Sequence, residues 1–191
     1  MHRRGMPGNR AELIHELEAH FKRLIHALYD TDVPAPEVDA QVRPWLDEHV
    51  SFVDPWQHGV GLAKYRLGLA GFHTLFKFHF ELAQLNVSLD PVSGQGRALA
   101  DGIMQLKLLE PIHVYPLRTI LVFDFVVTDP GVTGEVKFLI KTHEEMWSFA
   151  DMIAALPALG WVYRQLFRPG FARGFLAASW LSARAKGVLP K

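Results

Sequence analysis

The chain has 191 residues, 49% of them hydrophobic and 21% charged, which is enough apolar mass to bury a core and too little charge for an extended disordered chain. Its 20 basic and 20 acidic residues cancel, which argues against a broad cationic nucleic-acid surface, and the absence of cysteine excludes disulfides, thiolate nucleophiles and thiolate metal sites. No run of about eighteen apolar residues occurs, and the opening MHRRGMPGNR lacks the apolar stretch of a secretory signal, so a soluble cytoplasmic protein is the expectation.

Asn9, with Glu12 three residues later, has the form of a capping box, and Leu13, Ile14, Leu17, Phe21, Leu24, Ile25 and Leu28 then recur at helical spacing. This predicts an amphipathic helix over 10–29. Pro34 ends it, Pro36 opens a second helix with Val42, Trp45 and Leu46 on its inner face, and that helix is expected to reach about Glu48. The β-branched and aromatic segment His49 to Pro55 reads as a strand, Gly59 and Gly61 as a loop, and Leu62, Tyr65, Leu69 and Phe72 as a third helix. Three long runs follow, 77–89, 97–109 and 114–128, separated by the turn-forming DPVSGQG and EPI, and a fourth, 135–147, follows TDPGVTG. Adjacent runs of this kind pair as antiparallel strands. From Ser148 helical spacing returns with Phe149, Met152, Ile153 and Leu156 up to Pro157, then with Trp161, Val162 and Leu166 up to Pro169 and Gly170. A last helix places Phe171, Phe175, Leu176, Trp180 and Leu181 on one face. After Asp151 the chain carries six cations and no acid, so its last forty residues hold about +6 and the remainder about −6.

Alternation puts Arg118, Ile120, Val122, Asp124 and Val126 on one face of their strand, and Lys141, His143, Glu145 and Trp147 on one face of the last. Asp124 lies in the apolar run LVFDFVV, where a charge demands a partner. Asp101, with Met104 and Gln105, is a further polar position in the strand region. His143 with Glu145 suits either a polar cluster in a cavity or a partly solvated sheet end. The ten histidines form no HxH or HExxH pattern, so no metal is expected. Gly59-Val60-Gly61 lacks the remainder of a phosphate loop, and no serine stands in a GxSxG context.

The order helix, helix, short strand ending in Asp-Pro, helix and four antiparallel strands resembles the nuclear transport factor 2-like superfamily. The residues that carry the likeness are Val53-Asp54-Pro55, Gly61 opening a helix, and the closing hairpin around Thr133 and Gly134. The resemblance implies an α+β fold, a cone-shaped curved antiparallel sheet with N-terminal helices, over 9–147, with 148–191 as a basic helical extension packed on it. Among ketosteroid isomerase-like members it would make Asp54 a proton-abstracting base and Asp124 the protonated acid that holds the enolate. It would put the accompanying tyrosine at Leu24, where this chain has none. Equally, Asp54 suits a cap of its loop and Asp124 an ordinary cross-strand ion pair. The cone would enclose a cavity for a small apolar, lipid-, steroid- or polyketide-like molecule, touched by Trp56, Tyr65, Phe78, Asp101, Arg118 and His143, with no cofactor. The alternatives are a cofactor-independent isomerase or dehydratase using Asp54 and Asp124, and an interaction module whose C-terminal helices cover the cone, pair subunits into a homodimer, or lie on an anionic membrane.

Overall fold

The first apolar stripe forms α1 (Arg10–Leu28), whose Leu17, Phe21, Leu24, Ile25 and Leu28 are buried as their spacing predicts. The computed structural model describes residues 10–109, 113–129, 136–156 and 158–185. The expected Asn9 cap, the Glu110–Ile112 turn, the closing turn at Thr133 and Gly134, Pro157, Lys186, Lys191 and the side chain of Phe149 lie outside the described residues. The chain divides into two compact units, 1–148 and 149–191.

In the first unit, α2 (Ala35–Val42) is shorter than expected: Pro44 has no N–H to continue the helix, which tightens into a 3-10 turn over Arg43–Trp45, and Leu46 already begins a strand. The strands are β1 (Leu46–Val53), β2 (His58–Val60), β3 (Phe78–Leu89), β4 (Gln95–Leu109), β5 (His113–Asp129) and β6 (Lys137–Trp147), with α3 (Leu62–Leu75) between β2 and β3. They form one curved, unclosed sheet in the order β2-β1-β6-β5-β4-β3. The four long strands pair antiparallel as expected, while β1 joins β6 in parallel. Phe21 of α1 meets Phe123, Phe125 and Phe138 at ring-centroid distances of 5.6, 5.1 and 5.0 Å, so α1 covers the apolar face of β5 and β6. Burial of such side chains stabilises by about 1.5–3 kcal/mol each.

The second unit contains α4 (Phe149–Ala155), α5 (Leu159–Val162), a π-helical turn (Tyr163–Phe167) and α6 (Arg168–Ala185). Pro169 does not end a helix here as the sequence suggests. It follows the π turn, whose wider register accommodates a residue that lacks an N–H. Tyr163, Phe167, Phe171 and Phe175 stack in series along one side, and these side chains of α6, with Leu176, Trp180 and Leu181, are exposed. Among the described residues no helix is long and apolar enough to cross a membrane.

Candidate functional site

The pocket end of the first unit is built by a register change in β6. Phe138 and Ile140 point into the core, and strict alternation would carry the inward face on to Thr142 and Glu144. The pairing with β5 instead shifts between Asp124–Thr142 and Phe125–Ile140, leaving Lys141 as an extra residue that reaches Asp47 in an ion pair. A bulge of this kind re-aims the residues beyond it, so His143 and Glu145 turn inward and are buried.

Two helices bring hydroxyls to these groups. Just past the end of α1, Tyr29 is fixed because Thr31 locks onto β3: its Oγ1 donates to the Phe78 carbonyl at 2.9 Å and accepts the Phe78 N–H at 3.1 Å. Gly61, at φ +102°, sits in the left-handed region that favours glycine; its N–H binds the Val50 carbonyl at 2.9 Å and aims α3 so that Tyr65 faces β6. At the other end of α3, His73 Nε2 lies 2.8 Å from the Leu28 carbonyl. Tyr65 Oη is 2.8 Å from His143 Nδ1, Tyr29 Oη is 2.9 Å from His143 Nε2, and the Tyr29 hydroxyl donates to Glu145 Oε1. All four side chains are buried, and the imidazole is walled by rings: Phe123 stacks on it at 4.4 Å and Phe52 meets it edge-on at 5.1 Å.

Such surroundings disfavour charge. Burial pushes His143 down to about 3, so it is a neutral imidazole at ordinary pH. Burial lifts Glu145 to about 7; the Tyr29 hydrogen bond opposes the rise, the neighbouring Asp54 charge adds to it, and a hydrogen bond from Trp147 opposes it again. Tyr29 and Tyr65 are both raised, first by burial and then by the Glu145 charge, so both stay protonated.

The quartet opens on a pocket of about 230 Å³ between α1, α3 and the β1–β6 edge, with Leu28, Phe52, Leu69 and Phe72 as its apolar walls and Asp54, Gln57, His58 and Lys64 among its polar groups. Of the residues named from sequence, Tyr65, His143, Glu145 and Asp54 meet here. Asp54 lines the pocket but caps its own loop: Oδ1 accepts the Trp56 and Gln57 N–H groups at 2.6 and 2.8 Å, and Oδ2 accepts the Gln57 side-chain amide at 3.0 Å.

The others do not. Asp124 points away from the pocket, on the outer face of the sheet, where it sits opposite Arg97 in β4 and binds it with two contacts of 2.6 and 3.1 Å. Asp101 and Arg118 pair on that same face at 2.8 Å, with Arg118 71% exposed. The reason is competition between faces: Leu117, Thr119, Leu121, Phe123 and Phe125 form the more apolar set of β5 and take the core. Asp54 and Asp124 therefore lie on different faces of the sheet and cannot act on one ligand as a pair. Phe78 is core, packed on Phe72 at 4.6 Å, and Trp56 is half-exposed at the loop against Trp147. Tyr29 belongs to no motif; its signal in the sequence is that it stands four residues after Ile25 and eight after Phe21 and so continues the buried stripe of α1. Among the described residues no group of three or more His, Asp or Glu side chains is placed to hold a metal ion.

No family model matches the chain, and no curated protein matches it. Solved structures do. A candidate dehydratase of the NTF2-like family from Streptomyces avermitilis superimposes with a TM-score of 0.57 at 11% identity, over 74% of this chain and 99% of its own. The ActVI-ORFA protein of Streptomyces coelicolor gives 0.54 at 12%, over 71% and 98%. A candidate scytalone dehydratase from Novosphingobium aromaticivorans gives 0.55 at 12%, over 73% and 87%. The fold is that of the nuclear transport factor 2-like superfamily. At these identities the likeness extends to the NTF2-like backbone alone, and any chemistry resides in the side chains that this chain brings to the pocket.

Proposed function

We propose that the pocket binds a small, largely apolar ring compound carrying a carbonyl or hydroxyl, and moves a proton on it, either shifting a double bond beside a carbonyl or expelling water from a β-hydroxy ketone. The observation that carries this reading is the burial of Glu145 beside a neutral His143 at the wall of a pocket that pairs apolar sides with a polar rim. A carboxyl whose ordinary ionisation is moved to near neutrality exchanges a proton at little expense in either direction, which is what general acid–base catalysis requires. A network serving packing alone has no need of ionisable members, since apolar replacements of similar volume often hold a core as well. The dehydratase assignments attached to the S. avermitilis and N. aromaticivorans neighbours support the same reaction class. The volume favours one or two rings: about 150 Å³ of apolar cavity accepts benzene, and this pocket, at about 230 Å³, is half as large again.

A second reading, binding without turnover, is favoured by Asp54: the carboxylate that the ketosteroid isomerase-like resemblance would make the base has both oxygens engaged by its own loop. The two separate in a panel of one- and two-ring β-hydroxy ketones, with water loss followed by mass spectrometry and binding by thermal shift. Turnover by the wild type that falls about 10²–10⁴-fold in Glu145→Gln supports the enzyme. Stabilisation by the panel with no water loss and no effect of Glu145→Gln on binding supports the binder.

A further inference from the structure

Tyr65, His143, Tyr29 and Glu145 lie end to end, and their hydrogen-bonding capacity permits two consistent arrangements. A neutral imidazole has one N–H and donates at one ring nitrogen only. With Glu145 ionised, Tyr29 donates to its Oε1, the Tyr29 oxygen accepts from His143 Nε2–H, and bare Nδ1 accepts from Tyr65. Tyr65 then offers the pocket a lone pair and no proton. With Glu145 protonated at Oε1, each bond runs the other way, the imidazole proton is on Nδ1, and the Tyr65 hydroxyl is free to donate into the pocket. The distances of 2.8 and 2.9 Å on either side of the imidazole suit both arrangements, so no side chain has to move between them.

On that geometry, and resting on the acid–base reading above, we propose that Tyr65 is the residue that takes a proton from the bound molecule and that Glu145, beyond His143 and Tyr29, is where the proton is held. The step balances without a redox partner. The substrate's O–H or C–H proton passes to Tyr65 Oη as the Tyr65 proton moves to His143 Nδ1, the Nε2 proton to the Tyr29 oxygen, and the Tyr29 proton to Glu145 Oε1. The electron pair of the broken bond stays on the substrate, and the new Tyr65 O–H faces the resulting anion. Return of the proton reverses every transfer. Burial favours this arrangement, because both tyrosines and the imidazole stay neutral at each end of the transfer and only Glu145 changes charge. The ionisable groups facing Glu145 are Tyr29 after α1, Asp54 after β1, Tyr65 on α3, and His143 on β6 itself, with Trp147 N–H as a fixed donor. Lys64 and His58 stand at the pocket's polar side.

The full chain, labelled with ¹⁵N-histidine, tests this without a substrate, since two-bond proton–nitrogen spectra report which imidazole nitrogen carries hydrogen. His143 is assigned by its loss in His143→Gln. The expected result is Nε2–H above the Glu145 midpoint, Nδ1–H below it, and a neutral ring throughout, with the change abolished in folded Tyr29→Phe. A single tautomer across that range, or a switch that persists in Tyr29→Phe, overturns the relay. In parallel, deuterium wash-in at the carbons beside the carbonyl of 2-tetralone, a two-ring ketone, reads the transfer itself. Loss of about 100-fold in both Tyr65→Phe and Tyr29→Phe supports the proposal, whereas exchange within threefold of wild type in folded Tyr65→Phe means that Glu145 meets the ligand directly and overturns it. A tautomer switch with no exchange in the wild type instead removes the acid–base reading and, with it, Tyr65 as proton acceptor.

Discussion

Glu145 and His143 are shifted in opposite directions by the same burial, and this gives opposite signatures in stability. The folded state raises Glu145 from 4.5 to about 7, so it holds a proton that the unfolded chain has lost; this contribution is full below pH 4.5 and disappears as the pH rises through 7. It lowers His143 from 6.5 to about 3, so that contribution is full above pH 6.5 and is lost as the pH falls through 3. Each shifted group contributes a slope of about 1.4 kcal/mol per pH unit within its window. In urea melts between about pH 4.5 and 6.5, Glu145→Gln should therefore gain on wild type as pH rises, and His143→Gln should fall behind by a similar slope. Comparison with wild type at each pH removes the contribution of surface carboxylates such as Asp39 and Asp47, which Arg66 and Lys141 hold low. Asp124→Asn provides the contrast: its partner Arg97 is 59% exposed, so the change should alter stability by no more than about 1 kcal/mol and leave any turnover of the β-hydroxy ketone panel unchanged.

The four long strands were legible because each has a period of two and a turn beside it, and α1 because its stripe repeats every three to four residues. The resemblance turns Asp124 inward, whereas the inner face of β5 is the more apolar of its two sets, Leu117, Leu121, Phe123 and Phe125 against the set containing Arg118 and Asp124. In β6, simple alternation groups Lys141 with His143 and Glu145. The bulge that separates them depends on pairing with β5 and β1, a long-range contact that alternation along one strand does not contain. Tyr65 and His143 are legible as pocket candidates, but the link from His143 to Glu145 through Tyr29 depends on the anchoring of α1 on β3. The account of α1 predicts that Leu17→Ala lowers stability by about 2–5 kcal/mol and Phe21→Ala by about 3–5 kcal/mol in denaturant titrations. In β4, a Cβ at Gly102 would lie 2.4 Å from the Glu81 carbonyl oxygen and 2.5 Å from the Phe80 ring. Gly102→Ala should accordingly lower the melting temperature by several degrees, since backbone as well as a ring would have to yield.

Every residue of the buried apolar cluster precedes residue 148, from Leu17 to Ile140, so the first unit has a core of its own. A chain ending at Ser148 should give an α+β circular dichroism spectrum that lacks only the helical signal of 149–185, should melt cooperatively, and should keep the His143 tautomer response. Loss of cooperative melting would show that residues 149–191 complete the fold. The pocket, its neutral imidazole and its two tyrosines all serve one claim, that this unit presents a carboxyl able to take and release a proton near neutral pH. The most direct test is the carboxyl ¹³C shift of Glu145 followed against pH in the full chain, with the resonance assigned by its loss in Glu145→Gln. The predicted midpoint is about 7; a midpoint at the ordinary 4.5 would mean that Glu145 is solvated rather than buried, and would contradict the account.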